Sequence, residues 1–281
     1  IVIFCLVITI LVGAASGLGV FLRGSGTTSL IESPRGEEYR MVTDGIYRFN
    51  SERLVAEGIG WDIITLFVAV PIFLAALPAL ARGTLRGRLL TVGILGYFFY
   101  QYLMYAMTWA FGPLFLLFVA IYGLSAVGIF WILSRINLAS LPESFSKRFP
   151  ARGMAIFSIV MALLLVGMWL GRIVPAMRGK IQGMLVGQTT MVVQAMDLGI
   201  VVPLALWTGI ATWRRKPVGY LLAAVFVVKG AAMALAITAM VISAWIVEGA
   251  PELPPLVLFA VATIVALWLG VRIYRSAETA A

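Results

Sequence analysis

The stretch AAVFVVKGAAMALAI, residues 223–237, contains a single charged residue, Lys229, and neither proline nor acid. Its apolar character continues on both sides, across residues 218–246. Crossing a hydrocarbon core of about 30 Å takes roughly 20 helical residues, so this run is long enough to span a bilayer. A segment alone in lipid must satisfy its own backbone, which selects a helix; a barrel strand would alternate apolar and polar residues instead. Lys229 is then a charge held at membrane depth, where a partner or a function is the default expectation.

Seven further runs of the same kind are read at residues 1–22, 60–81, 89–110, 113–134, 153–175, 190–213 and 254–274. With 62% hydrophobic and 12% charged residues over 281 positions, the chain has more apolar surface than a water-soluble domain could bury. The expected fold class is all-α integral membrane, with eight transmembrane helices and a small outer β-hairpin in the first loop. The turn Phe111-Gly112-Pro113 makes a tight hairpin of the third and fourth spans. The first run, IVIFCLVITILVGAASG, lacks the charged start and short core of a signal peptide and is read as a span.

Orientation follows from the basic residues. Arg82, Arg86 and Arg88 lie in the second loop; Arg135, Lys147, Arg148 and Arg152 in the fourth; Arg214, Arg215 and Lys216 in the sixth; Arg272 and Arg275 near the end. The third and seventh loops have none. Both termini are therefore expected to be cytoplasmic, in a multi-pass protein of the cell membrane. The net charge of +9 reads as a topological signal plus attraction to anionic lipid. Nothing in the chain offers a soluble basic reading surface, so nucleic acid is not an expected partner.

Cys5 is the only cysteine and there is no histidine. That leaves no intramolecular disulfide, no His-ligated zinc or haem and no Ser-His-Asp triad. No cofactor and no metal site are expected.

A gap-free shift of 132 residues places Pro71 on Pro203, Arg82 on Arg214, Gly87 on Gly219 and Leu89-Leu90 on Leu221-Leu222. In this register Asp62 falls on Gln194 and Tyr97 on Lys229. The pattern raises the option of two four-helix repeats: a first half at 1–134, a cytoplasmic linker at 135–152 and a second half at 153–281. An even number of spans in each half would relate them by a dyad along the membrane normal. Pro71 and Pro203 lie inside spans and are expected to kink them.

The first loop, residues 23–59, is the one sizeable element outside the spans; its five Arg are balanced by six acids. Within EYRMVTDGIYRFN, two aromatic and β-branched runs flank Asp44-Gly45, a favoured two-residue turn, so a β-hairpin is predicted with its turn there. It reads either as a cap over the helix ends or as a lid or docking surface for a protein partner, with Arg40, Arg48 and Arg53 as anion contacts. SERLVAEGIGWD reads as a short interfacial helix leading to Trp61 at headgroup level.

Lys229 lies 13 residues beyond Lys216, about 20 Å along the helix, and Asp197 lies 17 residues before Arg214, about 25 Å. An Asp197–Lys229 ion pair is therefore expected, either pinning two helices or lining a polar cavity. Gln194, Tyr97 and Gln101 are the further candidates for a substrate or ion pathway, with Tyr100 nearby. Asp62 is placed at the outer interface, capping its helix, and Arg172 is expected to snorkel outward. Glu248 and Glu252 read as residues of a solvated turn.

The segment VVPLALWTGIATWRRKPVGYLLAAVFVVKGAAMALAI, across the sixth and seventh spans, resembles uncharacterised prokaryotic polytopic membrane proteins. The resemblance implies the membrane class and transfers no functional residues. Three functions stay open: a transporter or channel for a small solute or ion built on the buried Asp-Lys pair, an accessory subunit docking through the outer hairpin, and a membrane-embedded lipid-modifying enzyme.

Overall fold

The computed structural model describes residues 1–277. Among them are eight helices long and apolar enough to cross a membrane: α1 Val2–Phe21, α2 Glu52–Ala81, α3 Leu85–Thr108, α4 Phe115–Leu133, α5 Ala151–Met177, α6 Val192–Trp213, α7 Pro217–Glu248 and α8 Leu253–Ser276. They are compatible with a polytopic membrane protein. Large apolar side chains such as Phe130, Leu163, Ile246 and Ile264 stand exposed on their flanks, the surface that lipid would cover. The ends are set locally. Ser51 and Thr84 cap α2 and α3 by accepting from Leu54 N and Gly87 N, Pro217 opens α7, and Gly249 closes it with φ of 75°. The end bearing the first loop is called the hairpin end, and the opposite one the basic end.

The helix of the second span starts at Glu52 rather than at residue 60, with no separate interfacial helix before it. Trp61 consequently does not sit at a helix entrance. It is buried against Tyr100 and Tyr105.

Pro71 and Pro203 are each preceded by one π turn, Thr65–Ala69 in α2 and Asp197–Val201 in α6. The N–H of Val70 bonds Thr65 O and that of Val202 bonds Asp197 O, five residues back in both. A proline cannot donate and crowds the preceding turn, and the wider turn accommodates it. The two turns obey the 132-residue register, 65 to 197 and 69 to 201. So do two close approaches: a Cβ on Gly87 would fall 2.4 Å from Ala79 C, and one on Gly219 2.5 Å from Ala211 C.

Packing is alike in the two halves except at one place. Sequence neighbours pack in both, and α7 lies against α2 and α3 across the middle. In the first half α1 also packs on α4, closing a four-helix bundle, whereas α5 and α8 scarcely touch. The first half is closed and the second is open.

The hairpin is present in the first loop, but with another turn. β1 Thr28–Glu32 pairs antiparallel with β2 Glu38–Val42, and the chain reverses at Ser33–Glu37, where Gly36 has φ of 76°. Asp44-Gly45 does turn, yet no strand follows it. Asp44 Oδ2 accepts from Ser25 N (2.6 Å) and Ser25 Oγ (2.5 Å), and those bonds hold its carboxyl below the ordinary aspartate range. Residues 46–49 then turn inward, taking Tyr47 into the core, before Met41 bridges Ser51. Burial of Tyr47 overrides the local strand preference.

The hairpin tip is clasped by its own chain. Glu37, 2% exposed, accepts from Val186 N (3.0 Å) and Gly187 N (3.4 Å), while Gln182 Nε2 donates to Gly36 O (2.7 Å). It therefore caps the α5–α6 connection.

Candidate ligand cavity

A cavity of about 690 Å³ lies mainly in the open half, walled by α5, α6, α7 and α8, by the first turns of α2 and by Tyr100 and Met104 of α3. On α7 the lining recurs at helical spacing through Phe226, Lys229, Met233, Ile237 and Met240, and on α5 through Phe157, Met161, Met168 and Arg172. Most of the wall is thus apolar, with polar groups at two levels.

The deeper level is built by four helices, α3, α5, α6 and α7. Asp197, the first residue of the α6 π turn, is 9% exposed and accepts from the Tyr100 hydroxyl and from Trp169 Nε1 (2.8 Å). Lys229 Nζ lies 4.3 Å from the centroid of the Tyr100 ring. No Asp197–Lys229 ion pair within 4.0 Å forms, because Tyr100 stands between them: its hydroxyl serves the acid and its face serves the ammonium. The expected direct pair is therefore corrected to a bridged one. The lysine stem passes Gly96, where an added Cβ would make ordinary contact with Lys229 Cγ at 3.7 Å, and a Cβ on Gly230 would meet nothing within 4 Å. Gln194, buried on the same wall, has no side-chain hydrogen bond among the described residues.

The upper level lies at the hairpin end. Arg53 pairs with Glu57 (3.0 Å), Glu248 (3.3 Å) and Glu252 (2.8 Å), the only ion pairs among the described residues. Glu248 and Glu252 flank an exposed turn, as expected, and also tie α7 and α8 to α2. Arg172 reaches toward the hairpin end and bonds Met184 O, with Nη2 also reaching Gly183 O at 3.2 Å, and so fixes the connection that roofs the cavity. Arg40 and Arg48 are exposed and take no part; Arg48 stacks on Phe49.

Tyr97 and Gln101 also lie elsewhere. They belong to a sealed cluster in the closed half, centred on Asp62, which is fully buried and not at the outer interface. Asp62 accepts from Tyr47 OH (2.5 Å), Tyr105 OH (3.2 Å) and Gln101 Nε2 (3.3 Å); Thr65 Oγ1 donates to Gln101 Oε1 (2.7 Å) and meets Tyr97 OH at 2.8 Å. The earlier start of α2 carries Asp62 inward by two turns. α1 seals the cluster at Gly19, where any Cβ would fall 2.1 Å from Asp62 Oδ2.

Of the pathway candidates the cavity gathers Asp197, Lys229 and Gln194. Sequence reasoning missed Trp169 and Glu57. Their signals were present: Trp169 and Arg172 share a face of α5 three residues apart, and Arg53 and Glu57 share one of α2 four apart. Comparison with known protein families, curated proteins and solved structures finds no match.

Proposed function

We propose that this chain is a multi-pass protein of a prokaryotic cell membrane, with cytoplasmic termini, that carries a small solute through the cavity of its second half. One observation carries the reading: a cavity of about 690 Å³ reaches two opposite charges at mid-helix that do not neutralise each other by contact. A pin between helices would bring ammonium and carboxylate together and exclude space around them. Here an aromatic ring separates them and Gly230 leaves room beside the lysine. Intramembrane charges facing a cavity mark solute pathways, and π turns recur at functional sites. The halves 1–134 and 153–281 are on this reading tandem copies, of which the second kept its pathway. The hairpin serves as a cap on the mouth.

The test needs no knowledge of the solute. In a Cys5→Ala background, Gly230→Cys places one thiol beside Lys229. Membrane-impermeant thiol reagents applied to either face of sealed vesicles are expected to modify it from both sides, at different rates. Modification from one side only would overturn carriage while leaving a binding site; no modification would overturn the cavity as a solute site.

A further inference from the structure

The demand at the deeper level is one-sided. Asp197 already accepts from Tyr100 and Trp169, whereas the Lys229 ammonium meets only a ring face and donates to no oxygen among the described residues. An ammonium has three donors and no acceptor, and no protein oxygen among the described residues receives them. The complement is an acceptor-rich, anionic group, and the unpartnered Gln194 amide faces the same space.

The walls point to what that group is attached to. The lining on α7 from Phe226 to Val241 runs about 22 Å along the helix and is apolar apart from Lys229. Methionines 161, 168 and 233 contribute adaptable surface. The wall opens sideways: Leu163 and Leu164 line the cavity yet are 62% and 42% exposed, and α5 scarcely meets α8. Gly167 widens the gap, since a Cβ there would meet nothing within 4 Å. A solute arriving from water needs no apolar slot toward hydrocarbon. The other route is also unfavourable for a free anion, because the mouth sets Glu57, Glu248 and Glu252 against Arg53 and Arg172.

Resting on the carrier reading above, we propose that the ligand is a single-chain amphiphile with an anionic head group. It passes sideways from the bilayer between α5 and α8, sets its head on Lys229 and Gln194, and lays its chain along Met161, Met168 and Met233. The volume suits such a molecule, since ligand sites run roughly 300–1,000 Å³.

The probe is radiolabelled 1-oleoyl lysophosphatidic acid, bound to the full chain in phosphatidylcholine nanodiscs. Monooleoylglycerol, the same chain without phosphate, and glycerol 3-phosphate, the head without the chain, serve as competitors. Saturable binding of one molecule per chain is expected, with the neutral lipid competing at least tenfold less well and glycerol 3-phosphate not at all. Lys229→Met should lose more than tenfold in affinity and Lys229→Arg should restore most of it, which separates charge from folding. Leu164→Trp, at the side opening, should weaken binding at least fivefold while the Gly230→Cys thiol stays reactive.

Equal competition by monooleoylglycerol would overturn the anionic head, and competition by glycerol 3-phosphate would make the ligand a soluble phosphate. Unchanged binding by folded Lys229→Met would overturn the placement. Absence of saturable binding with a reactive Gly230→Cys thiol overturns this inference alone; an unreactive thiol overturns the carrier reading with it.

Discussion

The two halves place a carboxylate beside equivalent π turns and treat it in opposite ways. In the first, Asp62 is enclosed by Tyr47, Tyr105 and Gln101, and α1 closes over it at Gly19. In the second, Asp197 has only Tyr100 and Trp169, and the space that a closing α5–α8 contact would fill is a cavity. Position 97 is tyrosine, bonded to Thr65; position 229, 132 residues on, is lysine, with no acceptor among the described residues. The contrast teaches that a buried acid in such a bundle is enclosed or left facing a cavity according to whether the fourth helix closes on it. A saturated hydrogen-bond cluster fixes a unique packing, while an incomplete one leaves capacity for a ligand.

The contrast can be broken most directly by adding one methyl group to each half. Gly19→Ala forces a carbon against Asp62 Oδ2 and the Tyr47 hydroxyl, and should destabilise the detergent-solubilised protein by about 3 kcal/mol in denaturant unfolding, at the upper end of overpacking costs. Gly230→Ala should change it by less than about 0.5 kcal/mol. Equal effects would mean that the halves are not closed and open.

Removing the acids sharpens the same point. Asp62→Ala strips the acceptor from three sealed donors and should cost about 2–3 kcal/mol in the same unfolding measurement. Asp197→Ala should cost about 1 kcal/mol, because the donors it frees face a cavity that water can enter. A larger loss at Asp197 than at Asp62 would reassign the structural role to the open half.

Arg53→Gln removes all three ion pairs at the mouth, but these side chains are partly exposed, so only about 1 kcal/mol should be lost. That loss should shrink in 1 M salt. A loss insensitive to salt would show that the mouth is sealed like the first half.

The smallest effect concerns Asp44 at the hairpin root. Its carboxyl is held below the ordinary aspartate range by Ser25, so its contribution is present above that range and is lost as pH falls through the lowered value. Amide exchange at Ser25 should therefore stay slow at pH 6 and accelerate only in strongly acidic solution, and Asp44→Asn should remove this dependence. Acceleration already near pH 5 would contradict the assignment.

Much of this was legible before any coordinates. Length and apolarity located all eight helices, since the backbone in an apolar run has one local way to satisfy itself. Pro71 and Pro203 drew attention to the two places where the structure has π turns, although the expectation there was a kink, and the 132-residue register matched Gly87 with Gly219 before their shared close approach was visible. That Lys229 and Asp197 lie near the same level on adjoining helices followed from the helical rise alone. Less legible was the fate of Asp62, since placing the start of a span at residue 60 rather than 52 moves an acid from interface to core. The hairpin turn was misplaced because Asp44-Gly45 is a strong local signal, whereas burial of Tyr47 is a long-range one.

The sequence by itself thus determined the elements, that is, which segments are helices and that Asp197 and Lys229 lie near the same level, properties of short windows and of the helical rise. Only the tertiary structure decided that Tyr100 stands between Asp197 and Lys229, that Asp62 is sealed, and that α5 and α8 stay apart. Those outcomes depend on the relative rotation and spacing of helices distant in the chain, which hydropathy, being nearly uniform around each of these helices, does not encode.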